Sequence, residues 1–189
     1  MGTIKTTNIE PIADNGTVTL GSSGDTFTVP SGVTITNNGT QTGFGGDNTP
    51  AFFATADGQN VTDNTYTKVT LGTEVFDVGT CFGSSRFTVP SSEAGKYFLY
   101  GSVRCLVDTD GHLRDSYSAF YKNGSIYLEN RMNFNNNDIR LSTNLIHVVL
   151  DLSVGDYVEL YGAVNTTSSQ GSFSADVKGT NFGGYKIIE

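Results

Sequence analysis

From Pro50 onward the chain is written in short runs that alternate apolar and polar residues, with turn sequences recurring every ~8–12 residues. That spacing is the signature of a sandwich or barrel, and it predicts ~10 strands and no helix. The runs fall at residues 51–56, 66–71, 86–89, 96–105, 116–122, 125–128, 144–152, 157–164, 171–177 and 182–188. Asn123-Gly124 sits between two of them, the strongest short-range signal for a tight hairpin. Residues 145–152 are almost continuously apolar, which predicts a strand covered on both faces or lying at a subunit interface. No period of 20–50 residues repeats, so a solenoid is not expected.

Composition narrows the function. The 189 residues carry 11 Lys and Arg against 19 Asp and Glu, a net charge of −8. Phosphate backbones and anionic membrane surfaces need a basic footprint, so neither nucleic acid nor membrane is an expected partner. No apolar run approaches the ~20 residues of a membrane helix. The start, Met1-Gly2-Thr3-Ile4-Lys5-Thr6, has no apolar stretch of the signal-peptide kind. Only 16% of residues are charged, and Tyr, Phe and Thr are abundant, a balance that fits folded β structure rather than disorder.

Composition shifts near Gly43-Phe44-Gly45-Gly46-Asp47, which divides the chain into an arm at residues 1–46 and a main domain at residues 47–189. The arm holds three pieces with apolar residues at every second position and Thr between: Thr17-Val18-Thr19-Leu20, Thr26-Phe27-Thr28-Val29 and Val33-Thr34-Ile35-Thr36. Turn residues separate them. A short strand pair is marginal in water, so these pieces either stack on the main domain or pair with copies of themselves. The second arrangement suits a stalk or an anchoring arm.

The main domain resembles the trimeric jelly roll of the complement one-q globular head, within the tumour-necrosis-factor-like superfamily. The resemblance is carried by Pro50-Ala51-Phe52-Phe53-Ala54 and by Arg86-Phe87-Thr88-Val89-Pro90 with Gly95-Lys96-Tyr97-Phe98-Leu99. It continues in Phe120-Tyr121-Lys122-Asn123-Gly124, in the run from Leu150 through Gly155-Asp156 to Leu160, and in Phe182-Gly183-Gly184-Tyr185. Leu99 stands where the family has Phe, Gly101 stands where it has an aromatic, and no collagen-like stem is present. The resemblance implies an all-β jelly-roll sandwich that assembles as a homotrimer. Its interface candidates are Phe52, Phe53, Tyr97, Leu99, Phe182 and Tyr185. Rings on terminal strands mark an interface if they face outward. Because strands alternate, Phe52 and Phe182 alternatively fill the domain's own core.

The stretch from Leu20 to Ile35, with Gly24-Asp25-Thr26 and Pro30-Ser31-Gly32, resembles structural proteins of tailed bacteriophages. Together the two resemblances imply a non-enzymatic virion appendage, made in the host cytoplasm. It would be a tail fibre or capsid decoration attached to other virion proteins through residues 1–46. Its head would be displayed for adhesion to a host-surface glycan or protein. The competing expectation is a purely structural capsid cement that recognises no receptor.

Candidate ligand contacts are Tyr127, Asn133, Phe134 and Asn135, where amides can clasp hydroxyls and rings can stack. Asp108 and Asp110 open a loop resembling the start of a calcium site, but the acceptors that complete one do not follow in register. No cofactor is expected. His147 interrupts an apolar strand and reads as a hydrogen-bonded core or interface histidine, and with His112 it makes only two. No nucleophile-elbow sequence accompanies them. Cys81 and Cys105 could meet across the sheets; they read as two buried thiols by default, with a late disulfide in a released particle as the alternative. Asp77, Asp115 and Asp156 are carboxylates of the kind a glycan-cleaving pair uses, and Asp156 is better read as a turn former.

Overall fold

In the computed structural model the described residues are 9, 11, 16–36, 38, 48–107, 111–135, 137–176 and 178–187. The chain separates into two compact units, Met1–Thr42 and Gly43–Glu189.

The larger unit is built from thirteen strands, with no helix among the described residues. They are β1 (Ala51–Thr55), β2 (Gln59–Thr62), β3 (Thr67–Lys68), β4 (Thr73–Val78), β5 (Phe82–Gly83), β6 (Arg86–Thr88), β7 (Gly95–Leu106), β8 (Leu113–Lys122), β9 (Ser125–Asn133), β10 (Leu141–Leu152), β11 (Tyr157–Thr166), β12 (Gln170–Phe173) and β13 (Asn181–Lys186). Seven form one sheet in the order β2-β12-β7-β13-β1-β4, with β10 on the other side of β7. The other six run β5-β6-β11-β8-β9, with β3 beside β11. All pairings are antiparallel. The chain is therefore an all-β jelly-roll sandwich.

The core between the sheets is aromatic. Phe52 stacks on Phe82 and Phe87 at 4.9 and 5.2 Å and meets the edge of Phe182 at 4.9 Å. Phe120 closes on Phe182 at 5.4 Å, and Phe87 on Tyr97 at 5.0 Å. The Tyr97 hydroxyl keeps a partner by donating to the Glu93 carbonyl at 2.5 Å. Toward the β8–β10 side the core turns polar. Ser116 and Ser142 both donate to the Asn144 side-chain oxygen at 3.0 Å, with all three residues buried.

The hairpin joining β8 and β9 has the expected turn. Asn123 and Gly124 both adopt positive φ, at 51° and 82°, which gives the twist that two-residue hairpins need. The arm pieces behave differently. Two turns form, with Asp25 N donating to the Ser22 carbonyl at 3.0 Å and Val33 N to the Pro30 carbonyl at 3.2 Å. The three alternating pieces themselves form no ladder within the described residues. Short pieces of this kind are marginal in water without a pairing neighbour, and none pairs with them among the described residues.

Candidate functional site

The outer surface of the seven-stranded sheet carries a continuous set of rings. Register places them side by side: Phe53 is opposite Phe76 and Gly183, Tyr100 is opposite Gly183 and His147, and Phe98 is opposite Tyr185 and Val149. Phe53 lies 6.3 Å from both Phe76 and Tyr100. Phe98 lies 6.0 Å from Tyr100, 5.6 Å from Tyr185 and 6.3 Å from His147. Gly183 makes this possible, because a Cβ there would stand 2.5 Å from the Tyr100 hydroxyl and 3.0 Å from Phe53 Cδ2. Burial raises the Tyr100 hydroxyl above its ordinary pKa, with the neighbouring Tyr185 adding to the shift.

This face continues onto β10 at the margin of the sheet. Leu145 is 65% exposed and Val149 53%, while Phe76 on the far margin is 45% exposed. Between rings and margin lies a hollow of about 390 Å³ lined by Phe98, Tyr100, Thr143, Leu145, His147 and Lys178. A second of about 280 Å³ turns the corner, lined by Leu128, Glu129, Asn130, Leu145 and His147. Exposed apolar surface of this extent, on a face with polar side chains at its rim, marks a contact surface.

The six interface candidates divide. Phe53 and Tyr185 lie on the outer face. Phe52, Tyr97, Leu99 and Phe182 do not: all four are fully buried inside the protomer. Alternation is the reason, since neighbours along a strand point to opposite faces and these four point between the sheets. Phe76, Phe98 and Tyr100 take their places on the surface. The apolar run 145–152 is likewise covered on one face only. Ile146, Leu150 and Leu152 are in the core, and Leu145, His147 and Val149 look outward. His147 is therefore a surface histidine beside Phe98 and not a core one.

The outer surface of the six-stranded sheet has a different chemistry. Tyr66, Tyr117, Tyr121 and Tyr161 cluster there, half-buried, with Tyr121 stacked on Tyr161 at 3.8 Å and Tyr66 at 5.6 Å from Tyr117. The Tyr66 hydroxyl donates to the Glu129 carboxylate. Burial first, and then that bond, raise its pKa well above the ordinary phenol value. Burial also raises Tyr117, Tyr121 and Tyr161. Arg131 lies over the Tyr117 ring at 5.4 Å and donates to Asp115 at 2.8 and 3.0 Å.

The predicted ligand contacts scatter. Tyr127 is exposed, and Asn135 is exposed in a left-handed turn. Asn133 instead donates its amide to the buried Asp115 at 2.6 Å, and Phe134 packs half-buried against the core. An amide-rich loop sequence does not reveal that Asn133 ends β9, exposed but paired across the ladder with Asp115, or that Phe134 turns toward the core. Asp108 and Asp110 lie outside the described residues. His112 faces Asp138 at 3.5 Å. Among the described residues no three His, Cys, Asp or Glu side chains gather into a metal-binding group.

The carboxylates weighed as catalytic acids hold the backbone and neighbouring side chains. Asp77 accepts from the Cys81 and Phe82 amides at 2.9 and 3.2 Å. Asp115 accepts from Arg131, Asn133 and Asn165. Asp156 accepts from Asn123 at 2.8 Å and from the Ser153 amide at 3.0 Å, with Lys122 at 3.1 Å. Cys81 and Cys105 are free, buried thiols.

The fold is shared with known jelly-roll heads. Murine APRIL superposes with a TM-score of 0.54 at 16% identity, over 72% of this chain and 98% of that one. Eiger TNF from S. frugiperda gives 0.51 at 11% identity, over 72% and 91%. The globular domain of zebrafish complement 1qA protein gives 0.50 at 14% identity, over 73% and 97%. No family model matches the sequence, and no curated protein matches it. The chain is thus a jelly roll similar in fold to these tumour-necrosis-factor-like and complement heads.

Proposed function

We propose that the protein is a non-enzymatic binding head that works as a homotrimer, displayed on a virion appendage by its N-terminal arm. The observation that carries this reading is the aromatic outer face of Phe53, Phe76, Phe98, Tyr100 and Tyr185, continued by the apolar margin at Leu145 and Val149. A face and a neighbouring margin that are both apolar fit a head-to-tail contact, and such a contact buries both when the rotation closes into a ring. The fold shared with tumour-necrosis-factor and complement heads supports three as the number of copies. The other sheet stays outside such a ring. Its tyrosines, with Tyr127 nearby on β9, then meet a host-surface glycan or protein, and weak single contacts are multiplied by the number of heads.

The virion setting is supported by the phage-like stretch from Leu20 to Ile35. Light scattering on the full chain over a range of concentrations tests the assembly. A trimer mass, lost in Tyr185→Glu without loss of fold, is the expected result; a monomer at every concentration overturns it. Imaging labelled protein on virus particles and host cells tests the rest. Distal labelling together with cell binding is expected. Even labelling of a shell without cell binding would make the protein a capsid cement.

A further inference from the structure

The arm holds a second unsatisfied surface. In residues 16–36 the alternating pieces expose their apolar side chains, with Phe27 69% and Leu20 63% exposed and Val18, Val33 and Ile35 also open. Their backbone groups form no ladder among the described residues, although the two turns between the pieces are already closed. Gly24 and Gly32 supply the positive φ, at 92° and 83°, that these turns use. The segment therefore holds strand-patterned pieces joined by formed turns, with no ladder among the described residues. Strand-patterned backbone in that condition is a template for another chain.

We propose that the partners are the same residues of other copies of this chain, so that residues 16–36 of the assembled protein form an intermolecular β stalk. Three observations favour copies of itself over a different protein. The pieces are self-complementary: in-register pairing sets apolar against apolar and Thr against Thr, both favourable cross-strand pairs. Only one charged side chain, Asp25, occurs in the segment, and its carboxylate already accepts from the Ser22 amide at 2.6 Å, so copies carry little like charge to hold them apart. The chain enters the head at β1, whose Phe53 lies on the aromatic face. Association through that face brings the starts of β1 from several copies together and raises the effective concentration of the arms. The stalk rests on the proposed self-association of the head in this last respect only.

Hydrogen exchange on the full chain tests it, read at residues 17–36 above and below the concentration at which the mass falls to a monomer. Amide exchange slowed by ~10-fold or more in the assembled state, and released on dilution or in Phe27→Asn, is the expected result. A trimeric mass with fast exchange in this segment overturns the stalk and leaves the head assembly standing. Slow exchange in the monomer also overturns it, because the segment would then close within its own chain. An assembled Tyr185→Glu variant whose segment stays protected keeps the stalk and removes the head contact. A full chain that is monomeric throughout, with fast exchange, removes both.

Discussion

Phe53 and Tyr100 lie 6.3 Å apart and within 25° of parallel, across the strand that carries Gly183. Neither ring packs into the core; they meet because the residue between them has no side chain. Gly183→Ala places a methyl group on the Tyr100 ring and forces it aside. Tyr100 lies on the outer face and has room to move, so the fold should lose about 1 kcal/mol or less. The self-association constant should fall by roughly tenfold, equivalent to ~1.4 kcal/mol. Sedimentation equilibrium beside thermal unfolding checks this; a variant that loses Tm but keeps its mass would mean the rings serve the fold alone.

Adjacent residues on β1 should separate stability from assembly. Phe52 is fully buried between Phe82, Phe87 and Phe182, so Phe52→Ala should cost ~3–5 kcal/mol. Phe53 faces outward, so Phe53→Ala should weaken self-association and, below the concentration at which copies assemble, lower the urea midpoint far less than Phe52→Ala does. Equal loss of stability in both would contradict the placement of Phe53.

What the sequence revealed, and what it hid, follows from the same alternation. Asn123-Gly124 announced its turn because two successive positive φ values suit few other pairs. The jelly roll was legible from turn spacing and ordered motifs. Which face each ring occupies was not: Tyr97, Phe98, Leu99 and Tyr100 are all large and apolar, so the run fits either parity. Only pairing with β10 and β13 decides that Phe98 and Tyr100 face out. β4 was missed because Glu74 and Asp77 interrupt its pattern, and Asp77 turns out to hold the next turn through the Cys81 and Phe82 amides. Asn133 and Phe134 read as loop residues, yet Asn133 ends β9 with its exposed amide donating to Asp115 on β8, and Phe134 packs against the core.

Acid should find the clasp between two turns. Asn123 donates to Asp156, and this bond, followed by the Ser153 amide, holds the Asp156 carboxyl below its ordinary value. A carboxyl whose folded pKa is depressed adds stability that is complete above its unfolded value, near 3.8, and is lost as pH falls through the folded one. Asp156→Asn should therefore lower the urea midpoint at neutral pH and flatten its decline below about pH 4. Parallel acid profiles for both proteins would show that other carboxyls govern the fall.

The thiols should report unfolding and little else. Burial pushes Cys105 up to about 12. Burial also raises Cys81, and its hydrogen bond to Asp77 at 3.2 Å adds to the shift. The thiolate is the reactive form, so both should be nearly inert to a disulfide-exchange reagent near pH 8 while the protein is folded. In guanidinium both should react at the rate of an ordinary thiol. Because modification then requires opening of the sandwich, the native rate at low reagent should follow the stability of each variant, with Phe52→Ala reacting much faster than Phe53→Ala. Prompt reaction of one thiol in the native protein would place it outside the core and revise the packing around β5 or β7.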